Sequence, residues 1–347
     1  MLHFPQSSHS QPLSLGLDIG YGVTKAVTDR TFITFPSVCG HARDIKFRAE
    51  DLAGRYSGDQ VSDSAGGWFV GELALTQLPP GEVLRLRGRT ADETQLGNVF
   101  RVRLAKVALG KLLAGTHHGE AVHVRLSTGL PVDHMGDAPE LKAALMGQHL
   151  IQTDCAHFVA NVTEVMVMPQ PYGSLYAQML TPSGDINPCH TFTRTGVCDV
   201  GTYTVDLALD DDGVYVDAES GSVESGVYTA QERIAALLER DHRQKMPFRM
   251  VEEVLRTGCF RASGEVIHYH EAVQEALEPL RSATLNLMSE KWKGGKTVDV
   301  IYLSGGGAEL VKAVVQNTYR QTRLVANAQT ANARGYLHYA HFQAHAE

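Results

Sequence analysis

The sequence predicts an α/β protein built as two related lobes that close on one ligand. Three observations carry that prediction. Leu17-Asp18-Ile19-Gly20-Tyr21-Gly22-Val23-Thr24-Lys25 and Cys198-Asp199-Val200-Gly201-Thr202-Tyr203-Thr204-Val205-Asp206 share one pattern: an apolar strand ending in Asp, a glycine turn, then a polar–apolar alternation. The two aspartates stand 181 residues apart, about half of the 347-residue chain, as two related halves would place them. A third glycine run, Ser304-Gly305-Gly306-Gly307, follows an apolar strand and precedes a helical pattern. The length also exceeds the roughly 250–300 residues at which a single core stops growing.

Residues 1–12 are polar and rich in His, Ser and Gln, and read as a disordered tail without the apolar stretch of a signal peptide. Strands are expected at Leu13–Ile19, Val23–Val27 and Thr31–Phe35, the last ended by Pro36, which makes an early β-meander. From Gly40 to Thr94 the pattern loosens around a strand-like Gly67–Val70, as a variable insertion would. Val99–Leu113 carries apolar residues at helical spacing. Val122–Ser127 is a strand running into Thr128-Gly129-Leu130-Pro131, and Val162–Met168 is a strand stopped by Pro169. A helix crossing between lobes is expected to start in Ser174–Leu180.

The scheme then restarts. Gly196–Asp199 and Thr204–Leu209 form a hairpin, Asp210-Asp211-Asp212-Gly213 a turn, and Val214–Val216 a third strand. Helices follow at Gln231–Arg240, Val251–Arg256 and Glu271–Glu290, then the strand Val298–Leu303 and the helix Ala308–Tyr319. A short last helix opens at Ala331. The expected first lobe is 13–168 plus 331–347, with an insertion at about 37–97. The second is 169–330, with an insertion at about 220–285.

Composition narrows the function. A net charge of −8 opposes whole-surface binding to nucleic acid and leaves room only for a local basic patch; direct sequence-specific binding is not expected. No apolar run approaches the ~20 residues of a membrane span. The five cysteines form no C-x-x-C pair and read as buried, reduced thiols in a cytoplasm. His268 and His270 form an H-x-H with no Cys or carboxylate partner at metal-site spacing, so they read as surface residues. Arg85, Arg87, Arg89, Arg101, Arg103 and Lys106 are the one basic concentration. Without interleaved aromatics they read as a solvated face, the alternative being a contact with a neighbouring subunit or a DNA-bound adaptor.

Glycine turns let backbone N–H groups approach an anion, because no Cβ intervenes. Gly20, Tyr21 and Gly22 offer three donors and Gly201, Thr202 and Tyr203 three more, so two opposed turns can clasp a terminal phosphate. Asp18 and Asp199 would hold Mg²⁺ through water, and Lys25 would reach a bridging oxygen. Either aspartate alone could simply brace its turn; the pair, backed by Gly305–Gly307, points to a ligand. That third loop suits passage of a nucleotide over the helix opening at Ala308. Two other phosphate motifs fail: Gly20-x-Gly22-x-x-Lys25 lacks a third glycine, and Gly295-Lys296-Thr297 has Glu290 at the leading glycine position. Both precede strands rather than helices.

Taken together, Asp18-x-Gly20-Tyr21-Gly22-x-x-Lys25, Asp199-x-Gly201-x-x-Thr204-x-Asp206 and Leu303-Ser304-Gly305-Gly306-Gly307-Ala308 resemble the phosphate-1, phosphate-2 and adenosine motifs of the actin, sugar kinase and DnaK-type chaperone superfamily. Phe35-Pro36-Ser37, Val70-Gly71-Glu72-Leu73-Ala74, Thr128-Gly129-Leu130-Pro131 and Ala331-Asn332-Ala333-Arg334-Gly335 are similar to the ParM/StbA group of bacterial and archaeal actin-like ATPases. The resemblance implies an actin-like fold of two ribonuclease-H-like lobes, with ATP and Mg²⁺ in the interlobe cleft. It also implies nucleotide-dependent filaments and plasmid segregation through a DNA-bound adaptor. Gln170, in Met168-Pro169-Gln170-Pro171, stands where the group orients its attacking water. The following proline biases it to an extended conformation. Thr24, Lys25, Thr204 and Ala308 enter as nucleotide contacts with their motifs, and Gly226 as a candidate beside the base or ribose. Tyr21 departs from conventional actins, which carry a small hydroxyl residue there, so only the backbone contact transfers.

Two other functions compete with the filament-forming ATPase. A monomeric small-molecule kinase of the same superfamily needs a carboxylate base beside the substrate hydroxyl, and no further cleft motif supplies one. A non-hydrolysing actin-like scaffold on a membrane would carry an amphipathic helix, which neither terminus shows. A DnaK-type chaperone is not expected, since the chain ends 12 residues after Gly335.

Overall fold

The structure is a computed structural model that describes residues 12–46, 54–86, 91–114, 121–262 and 264–346. Residues 1–11, most of the expected tail, lie outside the described residues, as do Arg87 and Arg89. The chain opens with β1 (Leu13–Ile19), β2 (Val23–Val27) and β3 (Phe32–Pro36). Pro36 does not break the third strand. It closes an edge strand, where its missing N–H costs nothing, and the next donor, Ser37 N, bonds Gly22 O at 3.0 Å.

A small sheet follows: β4 (Val38–His41), β5 (Gln60–Asp63), β6 (Gly66–Val70), helix α1 (Gly71–Gln77) and β7 (Leu84–Arg85), in the order β5-β6-β4-β7. Its core is Val38, Phe69, Leu73, Ala74 and Leu78. Helix α2 (Ala91–Leu113) leads back to β8 (Ala121–Leu130), α3 (Ala138–Leu145), β9 (Gly147–Gln152) and β10 (His157–Pro169). The first large sheet has the order β3-β2-β1-β8-β10-β9.

Helix α4 (Gln170–Met179) carries the chain to the second large sheet. That sheet comprises β11 (Arg194–Val200), β12 (Val205–Asp211), β13 (Val214–Tyr215) and β14 (Gly221–Val223). Helices α5 (Val227–His242) and α6 (Phe248–Thr257), the hairpin β15 (Cys259–Ala262)–β16 (Glu265–His268) and helix α7 (His270–Trp292) pack beside it. Strand β17 (Val300–Ser304), helix α8 (Ala308–Thr318) and β18 (Thr322–Leu324) complete the sheet as β13-β12-β11-β17-β18, with β14 on β12. Helix α9 (Ala331–Ala346) ends the chain; at 16 residues it is not short.

The duplication is topological. In each sheet an Asp-bearing strand pairs antiparallel with its hairpin partner on one side and parallel with a later strand on the other. Asp18 faces Lys25 across one hairpin, and Asp199 faces Asp206 across the other. Parallel neighbours bring Thr128 beside Leu17 and Ser304 beside Asp199. Both aspartates thus stand at the carboxyl ends of parallel strands, where open α/β sheets place their ligands.

Helices α4 and α9 lie between the sheets. Tyr172, Leu175 and Tyr336 pack with Val197, Ala208 and Val300 of the second sheet, while a Cβ at Gly16 of β1 would stand 2.8 Å from Leu337 N. The two helices meet glycine to glycine. A Cβ on Gly173 would lie 2.6 Å from Asn332 Cα, and one on Gly335 would overlap Gly173 O outright.

Candidate functional site

The two glycine turns face each other. Tyr21 and Tyr203 meet edge to face with ring centroids 5.5 Å apart, and a Cβ on Gly22 would stand 3.1 Å from Thr202 Cγ2. Beneath the turns Asp18 and Asp199 are 2% and 6% exposed. Asp18 accepts from Lys25 Nζ at 2.9 Å and from Gln170 Nε2 at 3.2 Å. Burial pushes the Asp199 carboxyl up to about 7; the Asn332 hydrogen bond and Lys25 work against that shift, and the Asp18 and Asp206 charges add to it. The carboxylates therefore share one crevice with a surplus of negative charge. Oxygen donors of this kind suit a hard divalent cation.

The glycines around Asp199 are explained by close approach. Gly305 sits at φ +88, and a Cβ there would overlap Asp199 Oδ1 and lie 2.8 Å from Val200 C. Gly307 N donates to Val200 O at 2.9 Å, seating the start of α8 against the Asp199 strand. Gly226, at the N-cap of α5, lies against the Thr202–Tyr203 backbone. Val227 N and Tyr228 N donate to Gly201 O and Thr202 O at 3.2 and 2.8 Å, so this helix start is latched to the second turn. A groove of ≈ 660 Å³ between the lobes brings Lys25 together with Gly305, Gly306, Gln329 and Arg334.

Several expectations need correction. Gly201 N is used within its own hairpin, donating to Thr204 O at 2.8 Å, which leaves Thr202 and Tyr203 as that turn's candidate backbone donors. Thr24 points to the opposite face of β2 from Lys25, because side chains alternate along a strand. Its buried hydroxyl bonds Ser37 Oγ at 2.8 Å. Thr204 likewise turns inward, its Oγ1 donating to Asp206 Oδ2 at 2.7 Å. Gln170 is not extended: it is the first residue of α4, where Pro171 is tolerated because first-turn N–H groups have no intrahelical partner.

Within the basic stretch, Arg101 and Arg103 are not part of a solvated face. Arg103 bonds Asp63 at 2.6 Å and stacks over Trp68 at 3.5 Å. Burial lowers the Arg101 pKa, opposed by the neighbouring Tyr21 and Asp137. The cysteines are not all buried, since Cys189 is exposed. The histidines of the H-x-H are exposed as expected, but they have a partner: Cys259 stands directly across the hairpin from His268.

Sequence reasoning left out Asn332 as a site residue. Asn332 Nδ2 donates to Asp199 Oδ2 at 2.6 Å while its Oδ1 accepts from Ser174 Oγ at 2.6 Å. The signal was its place in Ala331–Gly335, though nothing local says which carboxylate it reaches. Asp206 is also more than a motif position. It accepts from Val132 N at 3.0 Å, Thr204 Oγ1 and Ser222 Oγ, tying the two lobes below the turns.

Comparison with known proteins follows the two halves. Residues 16–173 match the family profile of the actin-like proteins N-terminal domain, and residues 197–317 that of the archaeal actin homologue MreB-like C-terminal domain. No curated protein sequence matches significantly. Among solved structures, the apo psk41 ParM protein is similar with a TM-score of 0.71 at 20% identity, over 97% of this chain and 99% of that one. A 15-stranded ParM filament from Clostridium botulinum gives 0.73 at 20%, over 95% and 99%. Ta0583, an archaeal actin homologue solved in complex with ADP, gives 0.71 at 19%, over 94% and 98%.

Proposed function

The chain belongs to the actin-like proteins and has their two-lobed fold, and from that premise we infer that it binds and hydrolyses ATP and forms nucleotide-dependent filaments. The observation that carries this reading is the opposition of the two acid–glycine turns over one negatively charged crevice. The neighbours include a filament and an ADP complex, which supports the same reading.

Backbone N–H groups of Gly20, Tyr21, Gly22, Thr202 and Tyr203 bind the phosphates, with Lys25 beside them. Gly305, Gly306, Gly307 and Ala308 seat the nucleoside end, and Gly226 holds the second turn in place. Asp18 and Asp199 would hold Mg²⁺, and the ion would neutralise phosphate charge. Gln170 orients the attacking water: its Nε2 is committed to Asp18, which leaves Oε1 to accept from water. Closure of the lobes around ATP favours assembly with further copies of this chain, and hydrolysis favours release.

The proposed role is segregation of plasmid DNA from the cytoplasm through a DNA-bound adaptor. No helix among the described residues is long and apolar enough to cross a membrane, and the net charge of −8 disfavours direct DNA binding. Electron microscopy with and without a non-hydrolysable ATP analogue tests assembly. Filaments should form only with nucleotide, and monomers at high concentration with the analogue would overturn the reading. Phosphate release without any sugar separates this activity from a kinase.

A further inference from the structure

Far in sequence from both phosphate turns, the hairpin of the second-lobe insertion brings together three side chains suited to a soft divalent metal. Cys259 and His268 are directly opposed in the antiparallel pair, so their side chains share one face. His270 opens helix α7 two residues later. Cys259 Sγ lies 3.5 Å from His268 Nδ1 and 3.8 Å from His270 Nε2. The three ligand atoms all fall within 4.8 Å of one another.

The two sulfur–nitrogen spacings are close to a tetrahedral edge. Zinc bonds of about 2.3 Å to sulfur and about 2.0–2.1 Å to nitrogen put neighbouring ligand atoms roughly 3.5 Å apart. The frame is also preset. Gly258 has φ +68, and a Cβ there would meet the His270 ring, 2.9 Å from its Cγ, so only glycine lets that ring lie beside Cys259. Tyr269 N donates to Gly258 O at 2.7 Å, fixing the helix start to the strand start, and its ring is buried with Phe260 in the lobe core. The two imidazoles are near parallel, 5.5 Å between centroids.

We propose that Cys259, His268 and His270 form a Zn²⁺ site with a solvent molecule in the fourth position, which clamps the β15–β16 hairpin to the start of α7. One thiolate with two imidazoles favours zinc over the magnesium expected in the cleft. Binding requires the deprotonated thiol and neutral imidazoles, and no step at the cleft depends on it.

The test uses the full chain, stripped of metal with a chelator and titrated with Zn²⁺ or Co²⁺ without nucleotide. One equivalent should bind, and Co²⁺ should give a thiolate-to-metal charge-transfer band with the visible intensity of a four-coordinate site. Cys259→Ser should abolish that band, and His268→Gln and His270→Gln should each weaken binding by about tenfold or more, with circular dichroism unchanged. Absence of stoichiometric binding overturns the proposal. So does a cobalt spectrum in Cys259→Ser identical to the parent's, which would place the ligands elsewhere among the chain's cysteines and histidines.

Discussion

Replacing Gly335 by alanine sets two effects against each other. Alanine favours a helix interior over glycine by about 0.8–1 kcal/mol, so on propensity alone the variant is stabilised. The tertiary contact opposes this. The new methyl would coincide with Gly173 O and stand 2.7 Å from Ala177 N, where ordinary contact begins at 3.4 Å. These obstacles are backbone atoms of α4, which cannot rotate away, so the helices must part. Parting them also strains the Ser174–Asn332–Asp199 chain of hydrogen bonds and the packing of the fully buried Tyr336. Overpacking typically costs 1–3 kcal/mol and occasionally more; with the weakened network a net loss of about 3 kcal/mol is expected. At ~2.1 cal/mol/K per residue the unfolding entropy is about 0.7 kcal/mol/K, so the melting temperature should fall by roughly 4 °C. Gly97→Ala in α2 is the control. Its closest obstacles are side-chain ends, Arg101 at 3.3 Å and Leu86 at 3.4 Å, and it should be neutral or gain up to about 1 kcal/mol. Differential scanning calorimetry reads both. Equal melting temperatures for Gly335→Ala and the parent would refute the claim that backbone contact fixes this crossing.

Three further outcomes are expected. Asp199 titrates in the fold at about 7 against an ordinary 3.8, so the native state keeps a proton that the unfolded state releases; that stability is present at low pH and lost as pH rises through 7. Without nucleotide or Mg²⁺ the parent should lose about 1.4 kcal/mol between pH 6 and 8 relative to Asp199→Asn; parallel pH profiles from thermal melts would contradict this. Asn332→Ala removes a buried hydrogen bond to Asp199 and should cost about 2–3 kcal/mol, against about 1 for Ser174→Ala, with non-additive losses in the double variant; calorimetry showing additive losses would deny the shared network. Gln170→Ala should retain nucleotide affinity yet release phosphate at least tenfold more slowly, about 1.4 kcal/mol of barrier; an unchanged single-turnover rate would remove Gln170 from the water-positioning role.

Most strands flanking the turns were legible from their apolar residues, which alternate along Leu13–Ile19 and run almost unbroken along Val300–Ser304. Several short elements away from the turns were not. Helix α3 spans eight residues, and β15 and β16 four each, too few for a periodicity to emerge. The Cys259–His268 pairing was hidden for a related reason: a hairpin joins residues nine apart, a spacing that no metal motif in linear sequence announces.

Local chemistry determined the glycine turns and the acids that precede them, since each depends on residues within a few positions of one another, and the recurrence of that pattern 181 residues later determined the two-lobed plan. Only the tertiary structure decided which groups those acids meet. Gln170 on Asp18 and Asn332 on Asp199 join residues 152 and 133 positions apart. The shift of Asp199 to about 7 follows from burial shared with Asp18 and Asp206. Desolvation and through-space charge belong to the assembled crevice, and a strand carrying its aspartate in isolation has neither.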